Sequence, residues 1–301
     1  MATITSYDDG NRLEDVLRMV TNITPSDTPF FSGIRKTRCA NVVHQWPVDT
    51  LTTRGDNAIT EGSTISYGNV TAPTRSSNVA QILAKTYSVS STERAVKGAG
   101  VDDMFLYQKQ KAMKELATDI ERALQRGSLN SGTESATARR LAGALNYIST
   151  NVSGVASGTK LTESFFNGIL ELCWIAGGDP DEVYVNSFLK RVISSYTVST
   201  TKFIDAEDKR LTVAVNTYDS DFGVQKIIKS RDQFNALAGC SMMVIQNSMF
   251  GVAFLEPVTD IPPSEVAQTL HGTNGVLRGE LTLEVKAENS SAVVTGLNYG
   301  F

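Results

Sequence analysis

Residues 50–78 form a long polar segment without periodicity, and strand-like sequence flanks it on both sides. Residues 42–48 and residues 79–89 each alternate between two side-chain classes, a pattern that predicts β-strands. A structureless connection of this length is uncommon inside a compact domain. Two strands with mixed faces do not bury a core by themselves. The sequence therefore predicts a projecting hairpin that gains its burial from another molecule.

The residues that precede the hairpin are predicted to form an arm with one short helix. Pro25 and Pro29 prevent that helix from continuing, because proline lacks the backbone donor that a helix needs. Phe30 and Phe31 follow without periodic apolar partners, so we expect them to pack on something outside this segment. The apolar residues at helical spacing are Leu13, Val16, Leu17 and Val20.

A long amphipathic helix is predicted over residues 102–126. Asp102 or Asp103 can cap its start, and Gly127 can end it. The predicted buried stripe consists of Leu106, Met113, Leu116, Ala117, Ile120 and Leu124. The residues predicted to face away from it are Lys111, Glu115, Glu121, Arg122 and Gln125. A helix of this length spans a whole domain and leaves one face for neighbours.

The remainder of the chain alternates helices and strands. After a predicted Gly/Ser loop at residues 151–158, helices are expected from Thr162 to Gly177 and over residues 188–196. This pattern indicates an α+β or α/β domain of about a hundred residues. The predicted strands cover residues 182–185, 211–217, 224–229, 242–246, 251–255, 276–286 and 292–297.

Composition excludes several classes of protein. The formal net charge is −4, and the basic residues are scattered, which argues against a protein that grips phosphate backbones. No signal peptide and no run of about 18 apolar residues is present, so no membrane partner is expected. Cys39, Cys173 and Cys240 are odd in number and far apart, which predicts free thiols.

No enzyme, cofactor or metal-binding motif is recognised. The chain has two His, and His44 lies beside Trp46 in a predicted strand, where a packing role is expected. Residues 221–223 spell Asp-Phe-Gly without the other kinase motifs and are predicted to form a hairpin turn. The carboxylates at residues 179–182 miss the EF-hand spacing and are interpreted as a helix-to-strand turn.

The order of these parts resembles the major capsid proteins with the Hong Kong 97-type fold, and in particular the major head proteins of tailed phages. The resemblance is clearest in the first half of the chain, and the second half matches in layout more than in residues. The segments that carry it are residues 21–25 (TNITP), 28–31 (TPFF), 44–49 (HQWPVD), 85–90 (KTYSVS), 115–124 (ELATDIERAL) and 133–148.

The resemblance implies an α+β fold with five parts. These are an N-terminal arm (1–40), an extended hairpin called the E-loop (41–90), a spine helix (102–126), a peripheral (P) domain (91–150 and 259–301) and an axial (A) domain (151–258). The arm and the hairpin would lie on neighbouring subunits. Phe30, Phe31, Trp46 and Tyr67 become candidate inter-subunit contacts, since aromatic residues often carry interface energy. On this interpretation, Trp46→Ala leaves the monomer folded and impairs assembly.

The implied function is self-assembly of hexamers and pentamers into a phage head that encloses double-stranded DNA without sequence-specific binding. The implied partners are a scaffolding protein, a portal protein and a cement or decoration protein. The implied location is the virion capsid, assembled in the host cytoplasm. The known relative with this fold that cross-links its shell uses a hairpin lysine, whereas this chain has no lysine between Lys36 and Lys85. We therefore expect no such isopeptide bond, and no N-terminal cleavage because so few residues precede the hairpin.

Three alternatives stay open at this stage. An encapsulin-type nanocompartment shell keeps the same fold and holds cargo enzymes instead of DNA. A soluble enzyme could use scattered carboxylates that no motif reveals, in which case a concave site with perturbed groups is expected. A nucleic-acid binding module would need a basic face that the linear sequence does not show.

Overall fold

The computed structural model describes residues 27–51, 54–65, 68, 72–96, 103–132, 137–196, 216–235, 239–268 and 271–298. These residues belong to two compact units. The first unit contains residues 84–116 and 259–278, and the second contains residues 27–83, 117–258 and 279–298. The predicted helix around residues 13–20 lies outside the described residues, as do Tyr67 and most of the strand predicted at 211–217.

The helices and strands of the described residues alternate along the chain. The α-helices are α1 (Pro29–Gly33), α2 (Ser91–Ala95), α3 (Met104–Arg126), α4 (Ala144–Tyr147), α5 (Glu163–Ile175) and α6 (Ser187–Tyr196). Short 3-10 helices cover Arg231–Gln233, Asn247–Met249, Pro263–Glu265 and Glu288–Ser290. The strands are β1 (Arg35–Arg38), β2 (Val43–Val48), β3 (Thr74–Val79), β4 (Gln81–Ser90), β5 (Val152–Thr159), β6 (Glu182–Val185), β7 (Thr217–Ser220), β8 (Gly223–Lys229), β9 (Phe234–Asn235), β10 (Gly239–Ile245), β11 (Phe250–Ile261), β12 (Gly272–Val285) and β13 (Ala292–Leu297).

The predicted hairpin is present, but its return strand differs from the prediction. Strand β2 pairs with β3 in antiparallel register, from Val43 opposite Val79 to Val48 opposite Thr74. The alternating run after Val79 is instead a separate strand, β4, which lies next to β12 in a sheet of order β1-β11-β12-β4. The prediction was wrong for two reasons. Alternation identifies a strand without identifying its partner. The residues of β3 are mostly polar and show no strand pattern, because the strand pairs through backbone hydrogen bonds.

Helix α3 confirms the predicted long helix, and Asp103 caps it by accepting hydrogen bonds from the backbone N–H groups of Phe105 and Leu106. Its buried face differs from the prediction. Leu116, Ile120 and Leu124 are buried as expected, together with Ala112. In contrast, Leu106 and Met113 are about half exposed, at 49% and 52%. Glu121 and Gln125, expected to face away, are buried at 1% and 0% exposure.

A second sheet combines the strands between residues 152 and 245 with the C-terminal strand β13. Its strand order is β5-β13-β10-β6-β8-β7, with β9 paired to β10. Helices α5 and α6 contribute Phe166, Leu170 and Ile193 to a fully buried cluster with the apolar residues of these strands. Strand β13 lies between β5 and β10. The C-terminal residues 292–297 therefore share a sheet with the predicted axial region, although the sequence assigned them to the peripheral domain.

Several local predictions are confirmed, and one is wrong. Residues 221–222 form the turn between the antiparallel strands β7 and β8, and residues 176–181 connect α5 to β6. Thr162 caps α5 by accepting a hydrogen bond from the backbone N–H of Phe165. The segment expected to be a Gly/Ser loop at 151–158 is strand β5, because pairing with β13 outweighs its weak strand composition.

The cysteines of the described residues are buried and unpaired, as predicted. Burial raises the pKa of Cys173 to about 12 and that of Cys240 to about 11. Both thiols are therefore protonated at neutral pH. No helix in the described part of the chain is long and apolar enough to cross a bilayer.

The end of α3 packs so closely against the following chain that only glycine fits at residue 143. A Cβ placed on Gly143 would lie 2.5 Å from the backbone nitrogen of Gly127 and 2.7 Å from that of Arg126. We expect Gly143→Ala to lower the free energy of unfolding by about 1–3 kcal/mol, because the backbone must move to admit the methyl group. Urea denaturation measures this change. Gly154→Ala is the matched control, since nothing lies within 4 Å of that position, and equal stability of the two variants would contradict the prediction.

Candidate inter-subunit surfaces and the contacts that hold them

The segment that carries Phe30 and Phe31 is held by a buried carboxylate of α3. Glu121 accepts hydrogen bonds from the backbone N–H of Phe30 at 2.9 Å and of Phe31 at 2.7 Å. A third donor is the side-chain amide of Gln125, whose Nε2 lies 2.6 Å from Glu121 Oε1. These two N–H groups belong to the first turn of α1, where helical backbone donors have no partner within the helix. Glu121 therefore attaches α1, in the last part of the predicted arm, to α3.

A chain of buried amides and hydroxyls continues from this carboxylate toward residues 230–241. Gln125 Oε1 accepts from Ser230 Oγ at 2.9 Å and from Gln233 Nε2 at 2.7 Å. Gln233 Oε1 in turn accepts from Ser241 Oγ at 2.9 Å. Each of these polar groups is buried and has a partner, which removes the cost of leaving it unsatisfied. The network links the C-terminal half of α3 to the strand β10.

Burial raises the pKa of the Glu121 carboxyl above its usual value, although the N–H donors of Phe31 and Phe30 and the amide of Gln125 oppose the shift. The negative charge of Asp232 adds to the increase. Removal of a carboxylate from water is costly, and the three donors offset this cost by favouring the charged form. Three donors therefore hold the Glu121 carboxyl at the first turn of α1.

The root of the hairpin is held by Trp46. Its indole Nε1 donates to the backbone carbonyl of Val285 at 2.8 Å, and the side chain is 6% exposed. The ring also packs against Tyr147, with centroids 6.0 Å apart, and against His44 at 5.4 Å. His44 thus has the packing role that the sequence predicts. Trp46 connects β2 to the C-terminal part of β12 within one chain.

Asn78 fixes the other strand of the hairpin root. Its Nδ2 donates to the carbonyls of Ala142 and Leu283, at 3.0 and 2.8 Å. Its Oδ1 accepts from the backbone N–H groups of Ala142 and Val79, both at 2.9 Å. The side chain is 1% exposed and uses both ends of its amide. One residue therefore joins β3, β12 and the segment that follows α3.

Glu284 is a third anchor at the same place. Its carboxylate lies 3.2 Å from Arg35 Nη2 and accepts from Thr37 Oγ1 at 3.2 Å. His44 Nε2 is 3.5 Å from the second oxygen of Glu284. The carboxylate is nearly buried while Arg35 is partly exposed. Strands β1, β2 and β12 therefore meet at one charged side chain.

The described residues of the hairpin tip contrast with its root, since all of those between residues 49 and 73 are exposed. Among them are three large aliphatic side chains, Leu51, Ile59 and Ile65, at 100%, 61% and 65% exposure. Large apolar side chains left exposed on one loop are candidates for an interaction surface. The tip is therefore the strongest candidate surface of the hairpin.

The four predicted contact residues occupy different environments. Phe30 is completely buried, with its ring 5.4 Å from that of Tyr184, so it packs on residues outside its own segment, as predicted. Phe31 is partly exposed beside Phe254, and Lys36 Nζ lies 5.0 Å from its ring centre. Trp46 is buried as described above, and Tyr67 lies outside the described residues. Contact with a neighbouring subunit stays a prediction for all four.

Sequence reasoning missed the anchors, namely Glu121, Asn78 and Glu284. Glu121 and Glu284 fall in amphipathic elements where a charge is normally expected to face water. Asn78 lies at the end of a polar segment that shows no strand pattern. The available signal was the spacing of Glu121, which lies four residues after Ala117 and three before Leu124 and therefore shares a helix face with both.

The smaller unit has its own charged cluster. Asp260 accepts from Tyr87 Oη at 2.7 Å and pairs with Lys109 Nζ at 2.6 Å. Partial burial would raise the pKa of Asp260, but the hydrogen bonds from Lys109 and Tyr87 outweigh it and lower that pKa. Partial burial and the bond to Asp260 raise the pKa of Tyr87 to about 12. Within the described ranges, no group of three or more His, Cys, Asp or Glu side chains is arranged to hold a metal ion.

Trp46→Ala is expected to destabilise the chain itself, in contrast to the expectation from sequence. Truncation of a buried tryptophan costs about 3–5 kcal/mol, and the change also removes the donor to the Val285 carbonyl. Urea denaturation of the unassembled subunit measures the loss. Gln45→Ala, on the exposed face of the same strand, is the control. Wild-type stability of Trp46→Ala would contradict a stabilising role of the ring within its own subunit.

Glu121→Gln tests the buried carboxylate through its pH dependence. The NH2 group of glutamine would face one of the two backbone N–H donors, where the carboxyl presents an oxygen, so we expect the variant to be less stable by about 1–3 kcal/mol. Because the pKa of Glu121 is raised in the folded state, the contribution of Glu121 to stability is fully present below its unfolded pKa and is lost as pH rises through its folded pKa. The difference in unfolding free energy between wild type and variant should therefore narrow as pH rises above the ordinary pKa of a glutamate side chain. A difference that widens instead, in parallel urea titrations, would contradict the raised pKa.

Comparison with known proteins agrees with this architecture. A model of the family described as SU10 major capsid protein matches residues 2–298. The major capsid protein of Escherichia phage Phieco32 is 32% identical over 123 residues, which cover 40% of this chain and 35% of that protein. The match thus spans about a third of the length of this relative.

Solved structures cover nearly the whole chain. The capsid asymmetric unit of cyanophage A-1(L) superposes with a TM-score of 0.70 at 14% identity and covers 98% of this chain and 100% of that one. The capsid of a native GTA particle gives 0.67 at 10% identity, with 98% of each chain covered. A chain of Mycobacterium phage Bobi gives 0.64 at 11% identity, with 99% and 100% covered. These likenesses show the Hong Kong 97-type α+β capsid fold, and the match over residues 2–298 shows that the chain belongs to the SU10 major capsid protein family.

Proposed function

We propose that the chain is the shell subunit of a phage head and assembles into hexamers and pentamers around double-stranded DNA. The observation that carries the proposal is the family match over residues 2–298. The fold supports it, because capsid chains superpose on nearly every residue. The family is a structural one, and we assign the chain no catalytic role. The match favours a phage head over an encapsulin-type compartment.

The parts of the chain take the roles that this fold suggests. Residues 1–40 are the arm, residues 41–90 the hairpin of β2 and β3 followed by the separate strand β4, and residues 102–126 the spine helix. Residues 91–150 and 259–301 form the peripheral domain and residues 151–258 the axial domain, with β13 contributing its strand to the axial sheet. The anchors at Glu121, Asn78 and Glu284 support the proposal, since an arm and a hairpin that bind neighbours need firm attachment to their own subunit.

The hairpin tip, Phe31 and Tyr67 are proposed to contact neighbouring subunits. Phe31 keeps part of its ring exposed, and Leu51, Ile59 and Ile65 leave apolar surface uncovered. Phe30 and Trp46 are buried in their own chain. Their proposed role at the same interface is indirect, because they hold α1 and the hairpin root in place. Binding of neighbours would bury the exposed aliphatic residues, which is favourable by about 25 cal/mol per Å².

Further partners follow from a head that fills with DNA. A scaffolding protein, a portal protein and a cement or decoration protein are proposed, with assembly in the host cytoplasm before the subunit becomes part of the virion. The shell encloses DNA without reading its sequence, in keeping with the net charge of −4. The hairpin without lysine between Lys36 and Lys85 suggests a shell without isopeptide cross-links at that position.

Expression followed by sedimentation and electron microscopy tests the proposal. Closed shells or five- and six-membered rings support it, with or without the cognate scaffolding protein. A discrete monomer that persists at high concentration with scaffolding protein present would contradict it.

The tip makes a sharper prediction. We expect Ile59→Ser with Ile65→Ser to leave the unfolding free energy of the subunit within about 0.5 kcal/mol, because both side chains are exposed. The same variant should reduce the assembled fraction at least tenfold. Thr50→Ala, in the exposed described part of the same tip, is the control. Assembly of the double variant at the wild-type level would exclude these two residues from the contact.

A further inference from the structure

An apolar patch rimmed by acidic groups lies at one end of the second sheet. We call this surface the acidic patch. Its apolar centre consists of Leu172, Trp174 and Ile175 at the end of α5 and Phe222 in the turn between β7 and β8, and its acidic rim consists of Glu171, Asp179 and Asp221. Trp174 and Ile175 are 62% and 66% exposed, and the Trp174 and Phe222 rings are 6.3 Å apart. Exposed tryptophan beside isoleucine is costly for a chain alone, and tryptophan is enriched among residues that dominate binding energy.

The rim of this patch is negatively charged. Glu171 lies with Phe222 at a shallow cleft beside α5, and Asp221 precedes Phe222 in the turn. Asp179 lies at the same end, since a Cβ on Gly223 would be 3.5 Å from its Oδ1. Glu171, Asp179 and Asp221 are exposed. A partner for this surface therefore needs apolar surface together with positive charge.

The same chain carries a surface of that kind at the other end of the sheet. We define this basic groove, of about 320 Å³, by the residues that line it: Asp27, Pro29, Asn186, Ser187, Lys229, Ser230, Arg231 and Phe234. Lys229 and Arg231 are exposed and outnumber the single acidic residue, Asp27. Phe234 adds apolar surface at 41% exposure.

The topology prevents the two surfaces from meeting within one chain. Strands β6 and β8 are parallel, with Glu182 opposite Lys226 and Val185 opposite Lys229. The acidic patch precedes both strands, whereas the basic groove follows both. Seven residues of β8 at about 3.3 Å each separate the two ends by roughly 20 Å. Complementary surfaces at opposite ends of one sheet can only bind between copies.

We propose that the acidic patch of one subunit docks into the basic groove of the next, as a head-to-tail contact around each capsomer. The inference rests on the proposed function and adds the two surfaces that meet. Each copy offers one surface of each kind, and such heterologous contacts close into rings when the rotation per subunit allows it. Opposite charges select the orientation, and the apolar residues supply the buried centre.

Charge reversal tests the contact. Asp179→Lys with Asp221→Lys makes both surfaces of a chain basic, and Lys229→Glu with Arg231→Glu makes both acidic. We expect each variant alone to lose at least tenfold in ring and shell formation, because like charges then face each other. The chain with all four changes should regain assembly, since its two surfaces are again complementary. Analytical ultracentrifugation and negative-stain microscopy read out the products.

A mixture of the two reversed variants gives the most specific result. Basic and acidic chains can alternate in a ring with an even number of members, so six-membered rings should return. A five-membered ring would contain one repulsive contact, so pentamers and closed shells should stay depleted. A role of these residues in folding alone would not produce this dependence on ring parity.

Asp219→Lys is the matched control, because Asp219 lies opposite Val224 in the same hairpin and is exposed on the other face of the sheet from Tyr218. Its assembly should equal that of the wild type. Failure of the wild type to assemble would count against the proposed function itself. If the wild type forms shells and both reversed variants also assemble, only the docking of these surfaces is overturned. A four-change chain that folds and does not assemble would overturn it too. If the reversed variants form normal shells that lack a separate co-assembling protein, these surfaces bind that protein. That result would also overturn the docking of a second copy.

Discussion

The buried carboxylate of Glu121 determines how the distant parts of the larger unit are held together. An ionised group in the interior is costly unless donors surround it, and here two backbone N–H groups and the Gln125 amide do so. The two backbone donors come from α1, so the exit of the arm is attached to α3 through the main chain. Gln125 also accepts hydrogen bonds from Ser230 and Gln233. Gln233 in turn accepts from Ser241, so the same helix is connected to the start of β10.

The hairpin shows a division between a fixed root and an uncovered tip. Trp46, Asn78 and Glu284 hold its base by contacts to β12 and to the segment after α3, and nearly all the polar atoms involved are satisfied. The tip leaves aliphatic residues in solvent. A rigid base reduces the conformational entropy that a projecting element loses when it binds. This arrangement suits an element whose partner is a neighbouring subunit.

Sequence patterns predicted the elements better than their partners. Helix α3, helices α5 and α6, the turn at Asp221 and Phe222 and the unpaired thiols agree with expectation, because each depends on spacing or composition within one segment. The return strand of the hairpin and the strand β5 were missed, since their residues are polar or small and their pairing is supplied by backbone bonds to another strand. The prediction of the buried face of α3 was partly wrong, because distant donors satisfy the buried side chains of Glu121 and Gln125. Periodicity within the helix does not reveal those donors.

The amino-acid sequence by itself determined the order of the parts: an arm, a hairpin with a polar middle, one long helix, and a region of alternating helices and strands. It did so because local periodicity and turn chemistry act over a few residues. Only the tertiary structure decided which side chains face the interior and which surfaces remain for other subunits. Phe30 and Trp46 became core residues, whereas Trp174 and Ile175, in the helix predicted from Thr162 to Gly177, became exposed. Burial depends on what lies opposite a residue in space, and a linear sequence does not contain that information directly.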